Sequence, residues 1–252
     1  MTEPVPIGRW WGDHLAETRW ILEATRLRVD PVFLGRDIPR GDGRGVVLVP
    51  GFGGGDYTLA TLASWLRRMG YRPAVCGFVL NADCSERSLE RVERRVAALH
   101  ARTGRRVAVI GHSRGGHFAR AAAARRPELV SHAISLGADL QEMFHCSAPI
   151  LAAVEGTRRV LLTTGRARQP ECVTSHCPCS FTAAFRAPFP TDRVRFTSVY
   201  SKQDGVVRWQ AQLVPDADCV EVTGSHVGLI FNRQSYRVIA EALAAPEVMP
   251  SR

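Results

Sequence analysis

Residues 105–116 read Arg-Arg-Val-Ala-Val-Ile-Gly-His-Ser-Arg-Gly-Gly, and no other stretch limits the fold so tightly. Val107 to Ile110 is a short continuous apolar run, the pattern of a strand covered on both faces. The run stops at Gly111, and Ala119 to Arg125 has the composition of a helix. Ser113 therefore stands on a strand-to-helix turn, between Gly111 and Gly115. A side chain at the apex of so sharp a turn needs a strained backbone, and its neighbours two residues away must lack side chains that would collide. The following helix aims its N-terminus, with unpaired backbone N–H groups, at the serine. Ordinary loops also use glycine and serine, so the weight of this pentapeptide comes from its placement.

The rest of the chain repeats the same rhythm. Val46 to Val49 is a second buried-strand run, which breaks into Pro50-Gly51-Phe52-Gly53-Gly54-Gly55. Glycines there let a ligand approach the main chain, or simply form a turn into a helix with Asp56 as N-cap. Helices are expected at Thr58 to Met69 and from Ser85 to about Arg102, stopped by Gly70 and Gly104. Strands are expected at Arg72 to Gly77 and Leu129 to Leu136. This alternation predicts one α/β domain built on a mostly parallel sheet with helices on both faces.

Residues 138–192 interrupt the pattern with cysteines, prolines and a segment at 150–164 that reads as helix or strand. An insertion there sits above the carboxyl ends of the strands, where it can act as a lid. Strands resume at Val194 to Tyr200 and Asp218 to Val222, and a last helix runs from about Ser235 to Ala244. Residues 1–43 form an N-terminal helical extension. Within it, Trp10, Trp11, Leu15, Trp20, Ile21, Leu22 and Leu27 give residues 9–29 an apolar face. Such a face can lie on a membrane or cover an acyl site, but packing on the domain is the preferred reading.

Ligands of open α/β sheets bind at the carboxyl ends of the strands. Phe52, Ser113, Asp204 and His226 all fall there, and the order Ser, Asp, His fits a nucleophile with its acid and base. His226 would take the proton of Ser113, Asp204 would orient the imidazole, and the backbone N–H groups of Phe52 and Arg114 would hold an oxyanion. Asp139, which also follows a strand, is the rival acid, and Asp204 before Gly205 could be only a turn. Asp204 is preferred because its loop and the His226 loop follow consecutive strands. His112, His117 and His145 are read as structural.

Composition removes several other classes. The net charge of +9 is carried almost entirely by arginines dispersed among acids, Lys202 being the only lysine. With no nucleic-acid motif, this reads as a solvated surface. No apolar run reaches the ~18 residues of a spanning helix, and Met1 to Trp11 lacks a signal-peptide pattern, which points to the cytoplasm. The spacing of Cys172, Cys177 and Cys179 with His176 is wrong for a paired zinc site. A local disulfide, such as Cys172 with Cys177 or Cys179, or plain buried thiols are preferred, and Cys84 lacks a flanking histidine to make it a nucleophile.

Five segments in order, PGFGGG, NADCSERSLERVERRVAAL, GHSRGGHFARA, FTSVYSKQDGVVRW and GSHVGL, resemble bacterial lipase/esterase-like α/β hydrolases of the actinobacterial type. The resemblance spans roughly residues 44–245. It implies the α/β-hydrolase fold, a Ser113–Asp204–His226 triad, hydrolysis of carboxylic esters and no cofactor. The lid-like region is short and cysteine-rich, so lipid specificity does not carry over, and a small-molecule or lipid-like ester is the expected partner. The oxyanion segment begins Pro-Gly rather than His-Gly, so Phe52 is a donor by position. Phe144, Ile150, Phe181 and Phe185 near the lid point to an acyl group as the bound moiety. An acyltransferase or thioesterase using the same triad, or a hydrolase-fold binding protein without turnover, are the alternatives. Oligomeric state is not written in these features.

Overall fold

The structure is a computed structural model and describes residues 13–248. Six strands form one parallel sheet: β1 (Gly45–Val49), β2 (Arg72–Val75), β3 (Val107–His112), β4 (Val130–Leu136), β5 (Arg195–Tyr200) and β6 (Asp218–Glu221), in the order β2-β1-β3-β4-β5-β6. All five pairings are parallel. The chain therefore winds outward from the middle in both directions, and every strand points its carboxyl end the same way.

Strand residues alternate between two cores. Val47, Val49, Val107 and Val109 pack against α3 (Ser85–Thr103), α4 (Arg114–Arg125) and α6 (Ser180–Arg186) on one face. Val46, Leu48, Ala108 and Ile110 pack against α1 (Trp20–Val29), α2 (Ala60–Arg68) and α7 (Arg233–Ala244) on the other. β1, β3 and β4 are buried at every position, which is why β1 and the first four residues of β3 read as apolar runs, while β4 also buries Ser131, His132 and Ser135. The edge strand β2 is shorter than the Arg72 to Gly77 run, and its Pro73 is tolerated because an edge need not donate outward.

The ambiguous segment is a helix, α5 (Ala148–Thr163), with a proline in its first turn. It lies over the carboxyl ends of the strands, packing with Phe52 and Phe144 in a small separate apolar cluster. Ion pairs of Arg166 with Asp83 and of Arg168 with Glu90 tie the stretch after α5 to the start of α3. No disulfide forms in this region, and all seven cysteines are free thiols.

Two local expectations are corrected. Asp56 does not cap its helix: it opens a 3-10 turn, and its carboxylate accepts the N–H groups of Gly77 and Phe78 at 2.6 and 3.1 Å. The carboxylate thus ties the start of this turn to the end of β2. The N-terminal helix docks by only part of its apolar face, Leu27 entering the core and Trp20 lying against Phe231. Trp10 and Trp11 lie outside the described residues, Leu15 and Ile21 are 86% and 56% exposed, and of α1 only Leu27 is fully buried. Carboxylates do much of the docking instead.

Candidate active site

The turn after β3 bends as the glycine spacing demands. Ser113 has φ 52° and ψ −125°, a region costing a non-glycine residue roughly 1–3 kcal/mol. A Cβ on Gly111 would overlap the Gly115 carbonyl, and one on Gly115 would overlap the Val49 carbonyl. The strain is held by Ser113 N–H donating to the Leu136 carbonyl at 2.8 Å and Gly116 N–H donating to the Ser113 carbonyl at 2.7 Å.

Asp204 and His226 meet beside this turn. His226 Nδ1 lies 2.7 Å from Asp204 Oδ2, and both side chains are buried. The other carboxylate oxygen, Oδ1, accepts the N–H groups of Val206 and Val207 at 2.8 and 2.7 Å, while Gln212 Nε2 donates to Oδ2 at 3.0 Å. Four donors thus fix Asp204 in one orientation. Burial pulls the His226 imidazole down, but the charge and hydrogen bond of Asp204, helped by Glu17 and Asp139, leave its pKa raised. His112, beneath the turn, is pushed down to about 3 by burial and by its neighbour His226, and stays neutral. Its Nε2 lies 3.0 Å from the His226 carbonyl, which makes it a buried prop for that loop.

The rival acid has its own partner. Asp139 Oδ1 lies 2.6 Å from His117 Nε2, and its Oδ2 accepts the His145 N–H at 2.7 Å. The geometry brings Asp204, not Asp139, into hydrogen-bond contact with His226.

Two cavities meet at Ser113. The outer one, about 590 Å³, is lined by Ser113 and His226 together with Gly51, Phe52, Trp20 and Tyr57. The inner one, about 50 Å³, runs under α5 and is lined by Ser113, Met143, Phe144, Ile150, Phe181 and the His117–Asp139 pair. Phe52, Ile150 and Val206 line both. Phe185 lines neither: it is core, set edge-on to His117.

Phe52 and Arg114 both line the inner cavity beside Ser113. Arg114 is the first residue of α4, so its N–H has no intrahelical acceptor. Among the described residues neither N–H donates to the protein. Several supporting side chains carry no sequence motif. The Arg114 guanidinium donates to Asn81 Oδ1 and carbonyl, the Asp83 carbonyl and Ser85 Oγ, all within 3.0 Å. Ser85 therefore serves Arg114 rather than capping α3. Burial lowers the Arg114 pKa to about 10, still charged at neutral pH. Asn81, fully buried, also donates Nδ2 to the Pro50 carbonyl at 2.7 Å and so links α4 to the Phe52 loop. Such a network joins residues over thirty positions apart, which spacing alone does not reveal.

A parallel sheet of this order, with a serine on the strand-to-helix turn and an acid and histidine on later loops, has the α/β-hydrolase fold. The family model of the alpha/beta hydrolase fold matches residues 46–165, from β1 through α5. Among solved structures, the chain is similar to the mature lipase of Bacillus licheniformis at 16% identity and TM-score 0.61, covering 83% of this chain and 95% of that one. It is similar to the monoacylglycerol lipase of Paleococcus ferrophilus at 18% identity and TM-score 0.52, over 81% and 96% of the two chains. A variant of polyneuridine aldehyde esterase matches at 17% identity and TM-score 0.50, over 81% and 100%. No curated protein matches by sequence. No helix among the described residues is long and apolar enough to cross a membrane.

Proposed function

We propose that this protein is a serine hydrolase of carboxylic esters that works through an acyl-Ser113 intermediate. The observation that carries the reading is the buried 2.7 Å Asp204–His226 pair, whose histidine lines the same cavity as a strained Ser113. In the first half-reaction Ser113 Oγ attacks the ester carbonyl while His226 Nε2 takes its proton. The oxyanion is held by the N–H groups of Phe52 and Arg114 until the C–O bond to the alcohol breaks, with His226 returning the proton to the leaving oxygen. Water then repeats the sequence on the acyl-enzyme and releases the acid. Asp204 orients the imidazole and stabilises the imidazolium in both halves.

The cavities divide the ester. The inner cavity takes the smaller part and the outer, an order of magnitude larger, takes the bulkier one. The structural relatives include lipases and an esterase, and they support the fold on which this reading rests.

A chain-length series of p-nitrophenyl esters tests this. With the aromatic leaving group in the outer cavity, the acyl chain is confined to the inner one, so acetate and butyrate should turn over faster than laurate and palmitate. No turnover of any member, by protein whose fold is intact by circular dichroism, would favour a binding role.

A further inference from the structure

The N-terminal turn reaches into the site. Glu17, in the 3-10 turn Ala16–Arg19, is a buried carboxylate whose three acceptor contacts are all main-chain donors of the two loops bearing Asp204 and His226. Oε1 accepts the N–H groups of Gly205 and His226, each at 2.9 Å, and Oε2 accepts that of Val227 at 2.9 Å. Six residues on, Glu23 repeats the device: it accepts the Ser225 N–H at 2.9 Å and the Ser225 hydroxyl at 3.0 Å.

The loops are cut to receive these groups. Gly205 has no left-handed φ, so the turn itself does not require glycine. Space does: a Cβ there would overlap the Asp13 carbonyl and come within 3.0 Å of Glu17 Oε1. A Cβ on Gly228 would overlap the Glu23 carboxylate. The glycine after Asp204 and the one after Val227 are thus explained by docking of the N-terminal segment.

We propose that Glu17 is a positioning residue that holds the Asp204 and His226 loops in register, so that the N-terminal segment is part of the catalytic apparatus rather than an appendage. The inference rests on the triad reading above. A carboxylate bonded to the backbone of His226 also faces its imidazole with negative charge. Asp204 from the loop after β5 and Asp139 from the loop after β4 do the same, and His112 at the end of β3 is a further titratable neighbour. Removing Glu17's charge leaves the two aspartates and should make His226 less basic.

The test is the second-order rate at which a fluorophosphonate labels Ser113, measured against pH in wild type, Glu17→Gln and Glu17→Asp, with Ser113→Ala as blank. The amide keeps one acceptor but sets a donor against the Val227 N–H. The labelling rate of Glu17→Gln should fall at least about tenfold, given that a 1 Å misplacement can cost 10²-fold, and its acid limb should move to lower pH. Glu17→Asp keeps the charge with a shorter reach, so its rate should fall while the limb stays in place. Should Glu17→Gln not fold, Glu17→Asp decides alone, and a wild-type rate in it overturns the proposal. Wild-type rate and limb in a folded Glu17→Gln overturn it as well. Absence of label on wild-type Ser113 instead removes the triad reading, and this inference with it.

Discussion

His117 Nε2 and Asp139 Oδ1 stand 2.6 Å apart, so the carboxylate at the end of β4 is committed to an imidazole other than His226. Two acid–histidine pairs thus flank one serine, and of their four side chains only His226 lines the outer cavity with it. Replacing each acid by asparagine separates them. Asp204→Asn should lower kcat for a p-nitrophenyl ester by about 10³–10⁴-fold, the scale of losing the orienting acid. Asp139→Asn should keep kcat within about tenfold while lowering the melting temperature, since a buried charge-assisted bond is lost. A reversed ranking would move the acid to Asp139.

The raised pKa of His226 has a signed consequence. The base works neutral, so kcat/KM falls as pH drops through the free enzyme's imidazole pKa. Raising that pKa shifts the acid limb upward, and its midpoint should lie above the ordinary value of about 6.5. In Asp204→Asn, whatever residual rate remains should show the limb at lower pH, because the largest contributor to the rise is gone. A full pH–rate profile of both proteins reads this directly.

Strain at Ser113 predicts an inverted glycine effect. Glycine in place of alanine commonly costs about 0.5–1 kcal/mol in regular structure. At φ 52° and ψ −125° the penalty falls on the Cβ, so Ser113→Gly should be more stable than Ser113→Ala by about 1 kcal/mol. Both should be inactive. Urea midpoints of the two variants settle the order.

Asn81 joins Arg114 to the Phe52 loop through bonds of 3.0 and 2.7 Å from a fully buried position. Asn81→Ala strands the Pro50 carbonyl and one Arg114 N–H, at a cost of about 2–3 kcal/mol. The loosened oxyanion loop should lower kcat more than it raises KM. Steady-state kinetics beside a denaturant titration would show both effects, and an unchanged kcat would detach Asn81 from the oxyanion donors.

What the sequence made legible follows a physical line. β1 and β3 are buried on both faces and announce themselves as Val-rich runs, and Gly111 and Gly115 mark a turn whose sterics admit nothing larger. The order of Ser113, Asp204 and His226 followed from reading each strand's end. The segment at 150–164 stayed ambiguous because its helix buries only Val154 and Leu161 fully, leaving a weak period. Glu17 was invisible for another reason: its partners are backbone N–H groups nearly two hundred residues away, and main-chain donors leave no trace in residue identity. Even Gly205, which makes room for it, reads as a turn.

The central claim is that Ser113 is the nucleophile, and intact-protein mass spectrometry after fluorophosphonate treatment tests it most directly. The account predicts one adduct per chain, mapped by peptide sequencing to Ser113, absent from Ser113→Ala and matched by loss of ester turnover. An adduct on another residue, or turnover that survives in Ser113→Ala, would contradict it.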